Sequence, residues 1–325
     1  YAYIYATGDV IATGSDVGGL FGYASATVTN SFSSSNVVGG TYVGGFVGRN
    51  SANISGSFAS GEVYASVSTA GGFIGYNEGW GVVLDQVSST GAVFSLGGNV
   101  GGFVGTNQGT IKNATVMITS AHTNPNATAF VQGTSRVGGF VGKQVNTIEN
   151  STYTGTVRGS DQAGGFVGYM EGGTITGSGS YGSITGLGQV GGFAGRMNAG
   201  TLTQSYANMD VIGTTDTTSG RVGGFVGTFF NGSISLSRAA GSVEGLGSVG
   251  GFAGYLEYAG SISESYATGS VLQTNTSSVT SANGIGGFAG YVGATNAGTI
   301  SDVYAMGSVT GLENVGGLIG NLQFG

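Results

Sequence analysis

One hexamer constrains this chain more than any other feature. Written VGGFVG at 137–142, its pattern is small-apolar, Gly, Gly, Phe or Leu, apolar, Gly. It occurs eleven times, with its first glycine at Gly18, Gly44, Gly71, Gly101, Gly138, Gly164, Gly191, Gly223, Gly250, Gly286 and Gly316. The spacings are 26, 27, 30, 37, 26, 27, 32, 27, 36 and 30 residues. A recurring minimum with scattered longer gaps is the mark of a fixed structural unit that takes insertions. Two more motifs keep the same beat. One is the I-S-x-S of GTITGS (173–178) and GSISES (260–265); the other is the Y-A-x-G-x-V of YATGSV (266–271) and YAMGSV (304–309).

Each unit holds three stretches of about five residues rich in Val, Ile, Phe, Tyr, Ser and Thr, broken by Gly, Asn and Ser, which is strand composition. Apolar residues never sustain i, i+3, i+4, i+7 spacing, so no helix is expected. A unit of ~27 residues cannot bury its own apolar face, but it can if it stacks on a neighbour. The expected fold is therefore all-β: a parallel β-helix of about eleven coils with three short strands per coil, forming a single solenoid domain over residues 1–325. Parallel crossovers are overwhelmingly right-handed, so a right-handed solenoid is expected. Two stacked core columns follow: Ile54, Ile111, Ile148, Ile175, Leu202, Ile234, Ile262 and Ile300, then Val63, Val93, Val157, Val211, Val243, Val271 and Val309.

The repeated Gly-Gly-Leu/Phe-x-Gly unit resembles the GLUG-motif repeat. VGGLFG (17–22) and VGGLIG (315–320) carry its Leu form, and nine copies carry Phe. The resemblance covers essentially the whole chain. It implies a β-solenoid on a bacterial cell surface, as in adhesin-like proteins and the non-catalytic stalk of IgA-cleaving metallopeptidases. It does not imply proteolysis, since the sequence has no H-E-x-x-H and one histidine, His122.

Composition narrows the partners. Net charge is −7 and the lysines are Lys112 and Lys143, so no basic patch offers itself to phosphates and no nucleic-acid partner is expected. Without cysteine there is no disulfide framework and no thiolate metal site. No apolar run reaches the ~18 residues of a membrane span. Glycine is 70 of 325 residues without a Gly-X-Y period, which excludes collagen.

Some motifs look chemical. GSGSYG (177–182), GLGQVG (186–191) and GLGSVG (245–250) match G-x-G-x-x-G, but a dinucleotide site needs a helix after that loop, and here each copy sits inside a β-repeat. No cofactor and no catalytic site are expected. The 15 acids are scattered, and the best pair is Glu264 and Asp302 at equivalent points of adjacent coils. Trp80 and the insertion at 119–136, with His122 and Asn126, are candidate ligand-contact positions. Sequons fall at Asn53, Asn113, Asn126, Asn150, Asn231 and Asn275, candidate glycosylation positions. The long insertions share one corner, between the Y-A-x-G-x-V valine and the next Gly-Gly, a common binding edge in solenoids.

The phenylalanines pose the sharpest question. Phe46, Phe73, Phe103, Phe140, Phe166, Phe193, Phe225, Phe252 and Phe288 are each followed by Val, Ile or Ala. Neighbours on a strand point to opposite faces. Either the glycine pair bulges and tucks the rings inside, or they form a lateral interface between molecules.

The expected function is non-enzymatic and structural: an extracellular or cell-surface fibre or stalk, with self-association as the first partner. The alternatives are an adhesin that binds glycans or cell-surface proteins through its long loops, and a β-helical polysaccharide enzyme. The first residues already read as Y-A-x-G-x-V and the last as a regular GGLIG unit, with no atypical capping coil, so continuation by further chain or by stacking is expected.

Overall fold

The computed structural model describes residues 1–119, 123, 130–214, 220–257, 260–274, 283–293 and 298–323. They contain strands and no helix. The fold is a parallel β-solenoid of about eleven coils, each contributing strands to three sheets. Contacts divide the chain into two units: Tyr1–Arg158 with Phe166–Gly168, and Gly159–Gly165 with Tyr169–Gly325.

In the first unit one complete coil runs as follows. Strand Thr41–Gly44 lies on the second face and strand Val47–Asn50 on the third. The first face then takes Ile54–Ser55, Phe58–Ala59 and Val63–Ala65. Each strand pairs in parallel with its equivalents one coil away, as Val63 does with Val37 and Val93. The second unit follows the same plan and merges parts of the first face into longer strands, such as Tyr206–Gly213.

The hexamer is a corner, not a strand. Gly45 and Phe46 form the bend between the strands ending at Gly44 and beginning at Val47. The bend cancels the alternation that would put Phe and the next residue on opposite faces, so Val43, Phe46 and Val47 are all fully buried. All nine phenylalanines of the column are 0% exposed. The lateral-interface alternative thus gives way to core packing. In the first unit the rings stack at 4.7, 5.1, 5.0 and 4.6 Å from Phe46 through Phe73, Phe103 and Phe140 to Phe166. In the second they stack at 4.8, 4.7 and 4.7 Å from Phe193 through Phe225 and Phe252 to Phe288. The spacing is close to the ~4.8 Å between paired strands, so the backbone ladder imposes the stack.

The glycines make the corner sterically possible. A Cβ on Gly44 would lie 2.0 Å from the Val47 carbonyl oxygen, on Gly45 2.2 Å from that of Gly72, and on Gly48 2.4 Å from the Val17 nitrogen. None of the three is among the positive-φ residues. They are glycine because backbone passes against backbone there, not because of an unusual dihedral. The close approach lets one carbonyl serve two donors: Phe73 O accepts from Phe46 N at 2.9 Å and from Val47 N at 3.0 Å.

A second corner explains I-S-x-S. Its third position is left-handed in coil after coil: Asn30, Gly56, Gln86, Asn113 and Asn150 in the first unit, then Gly177, Gln204, Leu236, Glu264 and Asp302 in the second, all with φ between 47° and 60°. The serine that follows turns inward and satisfies backbone that the corner would strand. Ser57 Oγ donates to Ser55 O at 2.9 Å and accepts from Ser31 N at 3.1 Å. Ser205, Ser237 and Ser265 repeat this arrangement in the second unit.

The expected columns form, with additions. In the first unit Ile54, Ile111 and Ile148 stand with Val28 and Leu84, all buried. In the second, Ile175, Leu202, Ile234 and Ile262 are buried and Ile300 is half-buried. Val63, Val93 and Val157 stack with Val37 and Val131, and Val211, Val243 and Val271 with Ile184, while Val309 is half-buried.

Candidate functional site

One surface concavity among the described residues lies in the first unit, on the third face and the turn after it. It is an open groove of about 500 Å³ lined by Asp16, Tyr23, Arg49, Ser51, Glu78, Gly79 and Val82. Tyr23 and Arg49, each three residues after the hexamer's Leu or Phe, pair in register on adjacent coils. Glu78 follows the third-face strand of the next coil.

The polar groups are tightly ordered. Arg49 Nε donates to Glu78 Oε2 at 2.8 Å and Nη2 to Oε1 at 3.0 Å, a bidentate fork. The hydrogen bond holds the Glu78 carboxyl below its ordinary range and raises the Arg49 guanidinium, to which the Asp16 charge also contributes. The Arg49 guanidinium lies 5.9 Å from the Tyr23 ring centre. Tyr23 Oη and Ser51 Oγ share a hydrogen bond of 2.9 Å, while the Tyr23 side chain remains 53% exposed.

Asp16 stands apart. Its φ is 56°, and its Oδ1 is buried without a hydrogen-bond partner. In the second unit the corresponding face is filled: Tyr255 and Tyr291 stack at 4.5 Å and the Arg221 guanidinium lies 3.9 Å from the Tyr255 ring centre. Burial pushes the Tyr255 hydroxyl up to about 12.

Trp80 is 71% exposed, in the turn between Gly79 and Gly81, two residues past Glu78. His122, Asn126 and Asn275 lie outside the described residues. From the long insertion, Thr123 N and Oγ1 both donate to Glu62 Oε2. Asn53, Asn113, Asn150 and Asn231 are exposed. Asn113 and Asn150 occupy the left-handed corner, where asparagine is favoured, with a small residue turned inward and an outward threonine after it. That corner therefore writes an N-x-T sequon for structural reasons. Glu264 and Asp302 are exposed residues of the same corner. Among the described residues no three His, Cys, Asp or Glu side chains are grouped to hold a metal ion.

Asp16, Tyr23, Arg49 and Glu78 did not stand out in the sequence. The available signal was their offset: Tyr23 and Arg49 both lie three residues after the hexamer's Leu or Phe, in a chain where charged residues are only 7%.

The fold defines the class, a parallel β-solenoid. The model of the GLUG motif matches residues 39–64, 133–158 and 245–272. Each match spans one coil, from before a hexamer to just past the next Y-A-x-G-x-V valine, and together with the solenoid they fit a GLUG-repeat β-solenoid protein. No curated protein and no solved structure matches the chain.

Proposed function

We propose that this is a non-enzymatic structural protein of the cell surface or extracellular space, working as a stalk or fibre element by solenoid stacking. The observation that carries the reading is the interior itself. The buried side chains of each coil are covered by the next, and equivalent residues pair in parallel from coil to coil, as Val63 does with Val37 and Val93. The resemblance of GLUG repeats to bacterial surface proteins supports the location. Self-association is then the first partner, and no cofactor is required.

Electron microscopy and sedimentation at rising protein concentration test this. Rods or filaments whose length grows with concentration are expected. Monodisperse monomers throughout would overturn stacking, and release of sugars from a polysaccharide panel would overturn the non-enzymatic reading.

A further inference from the structure

We propose that the groove around Asp16, Tyr23 and Arg49 binds a neutral saccharide. The inference does not depend on the stalk reading, since a monomer or a fibre can carry the groove equally.

Three observations point there. First, Asp16 carries a buried oxygen that nothing in the chain satisfies, while its left-handed backbone recurs at the equivalent Tyr42 and belongs to the coil. A stranded buried acceptor carries a desolvation cost. That unmatched oxygen, at the edge of the groove, points to a group held ready for a donor that arrives from outside. Second, the groove mixes an exposed aromatic ring with planar polar groups. Tyr23 and Val82 supply apolar surface, while Arg49, Ser51 and Asp16 supply donors and acceptors. A pyranose has this dual character, with C–H faces that pack on an aromatic ring and hydroxyls that need partners at its edge. Third, the charge pattern argues against other ligands. Both oxygens of Glu78 are committed to Arg49, leaving Asp16 as the single carboxylate of the groove with a free oxygen. One carboxylate is too few for a divalent cation, which takes six or more oxygens as calcium or magnesium. With Arg49 and Glu78 paired, the groove keeps a net charge near −1, which disfavours an anion. The groove's volume of about 500 Å³ lies within the range of small-ligand clefts.

The sole tryptophan supplies the readout. Trp80 is exposed two residues from Glu78, so an occupied groove should change its emission. The probes are cellotetraose, xylotetraose, maltotetraose and N-acetylchitotetraose, titrated to millimolar concentration against the whole chain, with calorimetry in parallel. At least one should bind and shift the Trp80 emission. Tyr23→Ala and Asp16→Gly should each weaken that binding about tenfold or more, the loss of one good contact. Asp16→Gly separates function from folding. Glycine accepts the left-handed backbone without strain, so this variant should melt at the same temperature or higher while losing affinity. Two results would overturn the proposal: no probe binds, or one binds with unchanged affinity to both variants.

Discussion

The two units use one coil plan and fill one position of it in opposite ways. The position is the last residue of the third-face strand, four after the hexamer's Phe or Leu. In the first unit it holds Ala24 and then Asn50, Asn77, Asn107 and Gln144, all buried. Their amides form a chain: Asn50 Nδ2 donates to Asn77 Oδ1 at 2.9 Å, Asn77 Nδ2 to Asn107 Oδ1 at 2.8 Å, and Asn107 Nδ2 to Gln144 Oε1 at 3.0 Å. In the second unit the position holds Met170, Met197, Phe229, Leu256 and Val292, all buried and apolar. The backbone register is the same in kind. A stacked column can therefore be closed either by side-chain hydrogen bonds passed from coil to coil or by dispersion and exclusion of water. Mixing the two carries a cost: the amide chain ends at Gln144, whose Nε2 is buried without a hydrogen-bond partner.

The largest expected effect comes from putting an amide into the apolar column. Phe229→Asn removes a buried ring and leaves an unpaired amide, at a cost of about 4–6 kcal/mol from the two terms together. Chemical denaturation should show it, and hydrogen exchange should rise first in the coils around 197–256. Exchange that stays unchanged there would mean the column accepts polar groups, and the contrast between units would lose its meaning. The reverse change, Asn77→Leu, should cost less, about 1–3 kcal/mol. It strands one amide hydrogen on Asn50 and one acceptor position on Asn107. Each keeps a local backbone bond, Asn50 Nδ2 to Ala52 O and Gly109 N to Asn107 Oδ1, which limits the damage. A neutral result in equilibrium unfolding would show that the amide chain contributes nothing beyond what an apolar filling gives. The smallest effect is a gain. Leu236 sits half-exposed in the left-handed corner at φ 51°, where the first unit places Asn or Gly in four of five coils. Leu236→Gly or Leu236→Asn should raise stability by about 1 kcal/mol, read as an increase in melting temperature. A drop would mean that the leucine makes a contact worth more than its strain.

Much of this was legible because repetition amplifies weak signals. The Ile and Val columns were readable since eleven in-phase copies average out local noise. Leu84 and Val28 escaped because their coils depart from I-S-x-S: VLDQV stands where Ile-Ser would be, and only the pairing of Leu84 with Ile54 reveals it. The Phe rings could not be placed by alternation, since that rule holds within a strand and the hexamer bends between two. The amide chain was in principle visible. Asn50, Asn77, Asn107 and Gln144 all lie four residues after a column Phe, but in a chain so rich in asparagine a fixed offset is easily read as turn composition. The groove was least legible, because it joins outward side chains of different coils to a turn that belongs to no motif.

The triple-glycine corner has a genetic consequence. At Gly44, Gly45 and Gly48, and at their counterparts in most coils, any side chain would collide with a backbone atom that cannot step aside. Every single-base change that replaces one of these glycines is then a folding defect, and the number of such targets grows with each coil added. Point mutation cannot easily make a new corner from other sequence, because three glycines and a ring must arrive together. Copying a whole coil delivers all of them at once, already in register. A gene of this kind should therefore lengthen and shorten in steps of one repeat far more readily than it changes the letters within it.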